Sequence, residues 1–133
     1  MGVDLAKDSI DLGIVTNNQE AMVAFYRDVL GFEDAGTMPV PGGTMHRLIC
    51  GTSAIKLVQM NKPREVVAPP GGMGGATGYR YWTMAVNNLE DVLAACEQSG
   101  AKVAVPLTEF RPGVTIAIVE DPDGNWVEFG QGL

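Results

Sequence analysis

The sequence predicts an α+β fold made of two βαβββ modules, whose mixed sheets curl around a shared cavity with the helices outside. The prediction rests on a pattern of one strand, one helix and three strands, which occurs in residues 9–60 and again in residues 79–131. The only long irregular segment, residues 61–78, separates the two copies. A chain of 133 residues is long enough to form a single domain with a substantial core.

Equivalent positions in the two modules are separated by similar lengths of chain. Asp11 and Lys56 are 45 residues apart, and Tyr81 and Glu128 are 47 residues apart. A repeat of this size indicates a duplicated structural unit. We therefore expect each module to place its helix over the apolar face of its own small sheet.

The first module begins with a strand over residues 9–16, where apolar residues alternate with others. The side chains expected on its buried face are those of Ile10, Leu12 and Ile14. Asn17-Asn18 offers the N-cap of a helix over residues 19–30, and Gly31 is expected to end it. Three further strands are expected over residues 32–38, 44–50 and 53–60, with a turn at residues 39–43.

The second module repeats this order, starting with a strand over residues 79–86. Asn87-Asn88 offers the N-cap of its helix, which Gly100 ends. The remaining strands are expected over residues 102–107, 114–120 and 125–130. The segment Asp121-Pro-Asp-Gly-Asn125 predicts a turn before the last strand, because proline presets φ and glycine adopts positive φ without a steric penalty.

The irregular segment, residues 61–78, contains three prolines and five glycines. A loop of this length inside a compact domain is usually either functional or a linker. Two interpretations remain open at this point. The segment is either a solvated connector between the modules or a lid at the rim of a ligand pocket.

Composition argues against binding to nucleic acid or membranes. The formal net charge is −7, whereas nucleic-acid phosphates require a basic face. No apolar run reaches the roughly 18 residues of a membrane span, and the N-terminus has no apolar signal core. Cys50 and Cys96 show neither metal-ligand nor disulfide spacing, so we expect buried, reduced thiols. These features predict a cytoplasmic protein that binds a small molecule.

Alternation also predicts which side chains point away from the helices. In the first module they include Asp11 and Lys56, and in the second they include Tyr81 and Glu128. If the two sheets curl towards each other, these four side chains line the shared cavity. Concave sites with a few convergent polar groups are the usual ligand sites, so this cavity is the predicted functional site.

Three motifs resemble the vicinal oxygen chelate superfamily. They are Asp11-Leu-Gly-Ile, then Ala24-Phe-Tyr-Arg-Asp-Val-Leu-Gly-Phe-Glu33, then Asp121-Pro-Asp-Gly-Asn followed by Val127-Glu-Phe. That superfamily includes glyoxalase I, fosfomycin- and bleomycin-resistance proteins, methylmalonyl-CoA epimerase and extradiol dioxygenases. The resemblance covers residues 9–131 and implies the duplicated fold and a homodimer. It is less informative about the reaction, because the superfamily hosts several chemistries.

In metal-dependent members of that superfamily, four strands each supply one ligand, typically His or Gln, then Glu, His and Glu. The resemblance places these positions at Asp11, Lys56, Tyr81 and Glu128, and only the last keeps the expected residue type. A protonated Lys repels a cation, and Tyr is a poor ligand for the usual divalent ions. We therefore expect no cofactor and disfavour a divalent metal ion. If one is bound, the set implied is Asp11, His46 and Glu128.

Without a metal, the resemblance and these residues predict acid–base chemistry of the lyase or isomerase type on a small carbonyl-containing or aromatic substrate. Glu128 or His46 would take a proton. Lys56 or Tyr81 would stabilise the oxyanion of an enolate. The alternation of its strand leaves open whether His46 or Arg47 faces the cavity, where Arg47 would bind the substrate.

An alternative is a non-catalytic protein of the bleomycin-resistance type, which sequesters an antibiotic or natural product. Trp126 would stack on the ligand, and Asp11 and Glu128 would attract a cationic group. Arg111, expected in the loop before the strand at residues 114–120, would bind a ligand carboxylate. A third interpretation is that the ionisable groups form only a structural ion pair.

Overall fold

The computed structural model describes residues 2–133 and divides into two compact units, the first ending at Glu65 and the second beginning at Val66. Each unit contains one βαβββ module, so the predicted α+β class and the duplication are confirmed. No helix within residues 2–133 is both long enough and apolar enough to cross a lipid bilayer.

The first unit is a four-stranded mixed sheet with one helix. Its elements are β1 (Leu12–Val15), α1 (Gln19–Val23, continuing as a π-helical segment Ala24–Val29), β2 (Glu33–Val40), β3 (Gly43–Cys50) and β4 (Ser53–Met60). The strands lie in the order β1-β4-β3-β2. β1 is parallel to β4, and the other neighbours are antiparallel.

The second unit repeats this topology. Its elements are β5 (Tyr81–Ala85), α2 (Leu89–Gln98), β6 (Val103–Arg111), β7 (Val114–Glu120) and β8 (Trp126–Gln131). The strand order is β5-β8-β7-β6, with β5 parallel to β8 and the other pairs antiparallel. A short 3-10 turn at Gly72–Gly74 lies within the irregular segment that precedes β5.

The core of each unit lies between its helix and one face of its sheet. Met22 and Tyr26 of the first helix are fully buried, as are Leu48 and Leu57 on β3 and β4. The corresponding core of the second unit includes Leu89, Leu93, Cys96, Ala117, Val119, Val127 and Phe129. Each fully buried large apolar side chain contributes about 1.5–3 kcal/mol of transfer free energy.

The first strand is shorter than predicted, and the expectation that Ile10 lies in the core is wrong. β1 begins at Leu12, and Ile10 is 84% exposed. The carboxylate of Asp11 accepts the backbone N–H of Ala54 at 2.8 Å. Because this side chain takes the place of a main-chain acceptor, the ladder between β1 and β4 ends at Leu12.

Two other strands are longer than predicted, and each contains a proline. β2 continues through Pro39, which pairs with Thr44, so the predicted turn narrows to Pro41-Gly42. β6 continues through Pro106 to Arg111. Both strands are outermost in their sheets, where a residue without a backbone N–H is tolerated.

The first turns of α1 and α2 are capped by glutamines from distant strands, and not by the asparagine side chains that the sequence indicated. Asn18 and Asn88 occupy the N-cap positions but make no side-chain cap hydrogen bond. The Oε1 atom of Gln59, on β4, accepts the first backbone N–H of α1 at 2.7 Å. Gln131, on β8, accepts that of α2 at 2.9 Å.

The predicted turn before β8 is confirmed, and a buried carboxylate organises it. Asp121 is only 4% exposed, and its Oδ1 accepts the backbone N–H groups of Asp123 and Asn125, each at 3.0 Å. Gly124 has a φ of +86°, a value that side chains disfavour. The turn therefore fixes the point at which β8 enters the sheet.

Candidate functional site

The last strand of the second unit presents Glu128 on the sheet face that points away from the core. Its neighbours Val127 and Phe129 are buried on the opposite face. The register of β5 and β8 pairs Tyr81 with Trp126 and places Thr83 beside Glu128. The surface that these side chains form, here called the β5–β8 face, consists of Tyr81, Thr83, Trp126 and Glu128.

Glu128 is partly buried and is held by one hydroxyl group. Thr83 Oγ1 donates a hydrogen bond to Glu128 Oε1 at 2.6 Å. No other hydrogen bond or ion pair joins this carboxylate to residues 2–133. On the other side Glu128 pairs with Ile118 of β7, which is 2% exposed. Glu128 Oε2 therefore remains available to accept a proton in a partly apolar setting.

The sequence prediction missed Thr83, although the signal was present. Thr83 lies two residues after Tyr81 on the same strand, so alternation places both on one face. Tyr81 itself is 48% exposed on that face. The structure thus brings two of the four predicted cavity residues, Tyr81 and Glu128, onto one surface.

A turn of the irregular segment packs against Trp126. Gly72 is buried there, and a Cβ atom at this position would overlap the indole ring of Trp126. Arg80 holds the turn in place, because its guanidinium donates to the carbonyl oxygens of Gly72 and Pro69, both at 2.7 Å. We call residues 69–75 the Gly72 turn. The Gly72 turn therefore covers part of the indole ring of Trp126.

In the first unit, β3 and β4 bring two cations together. Arg47 on β3 pairs directly with Lys56 on β4, and both side chains are partly buried. The register therefore places Arg47 on the same face as Lys56, on the side of the sheet away from the buried Leu57. This surface, here called the β3–β4 face, consists of Gly13, Val15, Met45, Arg47, Lys56 and Val58.

His46 lies on the opposite face of the same sheet. It pairs with Leu57, which is fully buried on the helix side. Its Nε2 is 2.8 Å from Asp34 Oδ1. The backbone N–H of Gly36 also donates to Asp34 Oδ1, at 2.8 Å. The hydrogen bond from Gly36 is the larger cause, and that with His46 the smaller, of a pKa of Asp34 below its usual range.

Asp11 lies at the margin of the β3–β4 face, and its carboxylate is already engaged. Lys7 Nζ donates to Asp11 Oδ1 at 2.6 Å, and the backbone N–H of Ala54 donates to the same atom at 2.8 Å. The hydrogen bond from Lys7, then that from Ala54, lowers the pKa of Asp11 below its usual range. The charge of Lys56 acts in the same direction but more weakly.

Lys56 and Glu128 occupy equivalent positions in the two modules. Each lies three residues before the glutamine that caps its own helix, Gln59 in the first unit and Gln131 in the second. Each also pairs with a residue of the first strand of its module, Lys56 with Gly13 and Glu128 with Thr83. The duplicated fold therefore presents a cation at one position and a carboxylate at its counterpart.

Arg111, the remaining predicted binding residue, ends β6 and does not lie in a loop. It pairs with Val114, and the hairpin closes at Pro112-Gly113. The side chain of Arg111 is exposed and makes no hydrogen bond or ion pair with residues 2–133. It is not part of the β5–β8 face.

The side chains at the superfamily's ligand positions do not fit a divalent metal. Lys56 would repel a cation, and the carboxylate of Asp11 is committed to Lys7 and Ala54. Asp11 and His46, two members of the alternative ligand set, are not joined, because His46 lies on the helix side of the sheet. Within residues 2–133 no group of three His, Cys, Asp or Glu side chains is arranged to hold a metal ion.

An open groove of about 620 Å³ lies elsewhere on the second unit, at the start of α2. Leu89, Leu107 and Gln131 are among its lining residues. Gln131 shares the helix-side face of β8 with Phe129, whereas Glu128 is on the other face. The groove is therefore separate from the β5–β8 face.

Comparison with known protein families and structures gives a consistent result. The model of the Glyoxalase/Bleomycin resistance protein/Dioxygenase superfamily matches residues 9–129. The crystal structure of a glyoxalase family protein from Bacillus cereus is similar with a TM-score of 0.81 at 14% sequence identity, covering 96% of this chain and 98% of that one.

Two further crystal structures are similar over nearly their whole length. Lactoylglutathione lyase from Agrobacterium tumefaciens has a TM-score of 0.68 at 22% identity, covering 97% of this chain and 96% of that one. TioX from Micromonospora sp. ML1 has a TM-score of 0.72 at 19% identity, covering 96% and 100%. At these identities the similarity shows the fold alone. A comparison with curated protein sequences found no match.

Proposed function

This chain belongs to the Glyoxalase/Bleomycin resistance protein/Dioxygenase superfamily, and from that membership we propose that it catalyses metal-independent proton transfer on a small carbonyl compound. The observation that carries the proposal is the burial and hydrogen bonding of the Glu128 side chain. Its carboxylate is partly buried and accepts one hydrogen bond, from Thr83 at 2.6 Å. A carboxylate oriented in this way on a partly apolar face suits a general base.

In the proposed reaction Glu128 Oε2 removes a proton from the carbon next to the substrate carbonyl. The electron pair of the broken C–H bond moves into the carbonyl group, which becomes an enolate. Tyr81 donates a hydrogen bond to the enolate oxygen, since it is the candidate donor on the same face as Glu128. The carboxylic acid then returns the proton to carbon, which gives an isomerase. In a lyase the enolate electron pair instead forms a carbon–carbon double bond as the bond to a leaving group on the next carbon breaks, and the proton goes to that leaving group.

The test measures hydrogen exchange in D₂O by proton NMR, using a panel of small aldehydes, ketones and hydroxycarbonyl compounds and protein dialysed against EDTA. We expect wild-type protein to accelerate exchange in at least one panel member. Glu128→Gln should slow that exchange about 10²- to 10⁴-fold, the usual contribution of a general base. The control Glu109→Gln, on the exposed edge strand β6, should leave it unchanged.

Exchange by Glu128→Gln at the wild-type rate would overturn the proposal. A rate that disappears with EDTA and returns with zinc would overturn its metal independence.

A second candidate function is sequestration of a cationic aromatic compound. The half-exposed ring of Tyr81 lies on the same face as the Glu128 carboxylate, and such a pair attracts a cation that carries an apolar body. The same variant separates the two functions. A binding protein should show no exchange on the panel, and Glu128→Gln should weaken ligand binding only modestly.

A further inference from the structure

We propose that the β3–β4 face of the first unit binds the carboxylate group of a small organic acid with an apolar body, between Arg47 and Lys56. The inference goes beyond the proposed function and does not depend on it. Its evidence lies within the first unit and does not involve Glu128.

The first argument is the unusual pairing of the two cations. Arg47 and Lys56 are direct cross-strand partners, and like charges in this relation destabilise a sheet. Neither side chain makes a hydrogen bond or an ion pair with residues 2–133. Two partly buried cations side by side therefore lack the partner that burial normally requires.

The second argument is that the carboxylate at the margin of the face is hydrogen-bonded to other groups and not to Arg47 or Lys56. Asp11 Oδ1 already accepts hydrogen bonds from Lys7 and from the backbone of Ala54, at 2.6 and 2.8 Å. Asp11 interacts with Lys56 only through their charges. An anion from outside the unit would supply the acceptor that Arg47 and Lys56 lack.

The third argument is the space beside Lys56. Gly13 of β1 pairs with Lys56, and a Cβ atom at Gly13 would have no neighbour within 4 Å. The absence of a side chain leaves an open position on the strand beside Lys56. At the equivalent position of the second unit, Thr83 fills this place and bonds to Glu128.

The duplication also shows that the cation pair is not a requirement of the fold. The residues equivalent to Arg47 and Lys56 in the second unit are Ile118 and Glu128, which also form a direct pair between antiparallel strands. The two cations are therefore specific to the first unit.

The chemistry of the face selects the class of anion. The planar guanidinium of Arg47 matches the two oxygens of a carboxylate, and the Lys56 ammonium adds a point charge. Val15, which is 58% exposed, and the partly buried Met45 and Val58 offer apolar contact beside the cations. Two cations in a chain of net charge −7 suit a monoanion better than a polyphosphate.

The test uses phenylacetate and hexanoate as probes, their amides as neutral counterparts, and inorganic phosphate. Binding to ¹⁵N-labelled protein is followed by backbone amide shifts. We expect both acids to shift the backbone amide signals of Gly13, Arg47 and Lys56. The neutral amide compounds and inorganic phosphate should bind at least about tenfold more weakly than the acids.

Arg47→Gln and Lys56→Gln should each weaken acid binding about tenfold or more. Gly13→Val should block it sterically, and its backbone conformation accepts a side chain. The control Lys62→Gln removes the same charge from an exposed position of the same unit and should bind as wild type does. Glu128→Gln should also retain binding, which separates this inference from the proposed function.

Three results would overturn the inference. The first is equal binding of the acids and their amides. The second is equal binding of phenylacetate and phosphate, which would remove the role of the apolar body. The third is an affinity for the acids that is the same in Arg47→Gln, Lys56→Gln and Lys62→Gln, provided that the NMR spectra show all three variants to be folded.

Discussion

The hydroxyl of Thr83 is the only protein group that orients the Glu128 carboxylate within residues 2–133. Thr83→Val keeps the shape of the side chain and removes the donor. If Thr83 positions Glu128 for proton transfer, we expect the exchange rate to fall about tenfold at an unchanged KM. Thr83→Ser should restore the rate, because serine keeps the hydroxyl group.

Thr37→Val, on the exposed strand β2 of the first unit, provides the matched control and should exchange as wild type does. Equal rates for Thr83→Val and Thr37→Val, measured by the same NMR assay, would show that the 2.6 Å hydrogen bond has no part in positioning.

The buried thiol of Cys96 gives a prediction about reactivity. Burial, with a smaller contribution from the charge of Glu97, raises the pKa of Cys96 to about 11. Because the thiolate is the reactive form, we expect Cys96 in the folded protein not to react with Ellman's reagent near neutral pH. Cys50→Ser leaves Cys96 as the single thiol and makes the measurement specific.

In the Cys50→Ser variant, the thiol should titrate only after guanidinium is added. Rapid reaction before unfolding would contradict the burial of Cys96. In the wild-type protein, Cys50 should react first, because it is partly exposed, although burial raises its pKa as well.

At the scale of the elements, the alternation of apolar and polar residues predicted the side-chain directions within a strand better than the contacts between strands. It placed Glu128 and Tyr81 on the face away from the core, because side-chain direction depends on local sequence alone. It left the choice between His46 and Arg47 open, because that choice depends on the pairing of β3 with β4. The glutamine caps were missed, since Gln59 and Gln131 lie 40 and 42 residues after the first residues of the helices that they cap.

The Gly72 turn gives a prediction at this scale. Gly72 has a φ of +55°, and a side chain there would overlap the indole of Trp126. We expect Gly72→Ala to lower the free energy of unfolding by about 1–3 kcal/mol, as overpacking usually does, and to shift the tryptophan fluorescence. Denaturant unfolding monitored by circular dichroism measures the change.

Gly74→Ala is the matched control, because a Cβ atom at Gly74 would have no neighbour within 4 Å and its φ is not positive. Its unfolding curve should resemble that of the wild type. If Gly72→Ala and Gly74→Ala unfold alike, the packing of the turn against Trp126 does not contribute to stability.

At the scale of the whole molecule, the duplication was visible in the sequence because each module keeps the same spacing and the same order of elements. The strand ends were less predictable. Pro39 resembles a strand breaker in the sequence, but it lies in an edge strand, where a residue without a backbone N–H is tolerated. Ile10 resembles a core residue, but the Asp11 side chain ends the sheet before it.

The free energy of unfolding should depend on pH in the acidic range, because two carboxyl groups of the first unit have lowered pKa values. The pKa of Asp34 is held below its ordinary value of 3.8, first by the Gly36 amide and then by His46. The pKa of Asp11 is lowered mainly by Lys7. A carboxyl group with a lowered folded pKa stabilises the native state above its unfolded pKa, and this stabilisation is lost as the pH falls through the folded pKa.

We therefore expect the free energy of unfolding to decrease as the pH is lowered below about 4. Asp34→Asn should make the decrease smaller, because the variant has no carboxylate to protonate at that position. Urea unfolding at a series of acidic pH values measures the slope of the free energy of unfolding against pH.

Asp4→Asn is the control, because Asp4 is exposed and makes no hydrogen bond with residues 2–133, and it should keep the wild-type slope. A slope for Asp34→Asn equal to that of Asp4→Asn would show that the hydrogen bonds to Asp34 do not contribute to stability, since linkage requires the slope to change whenever the folded and unfolded pKa values differ.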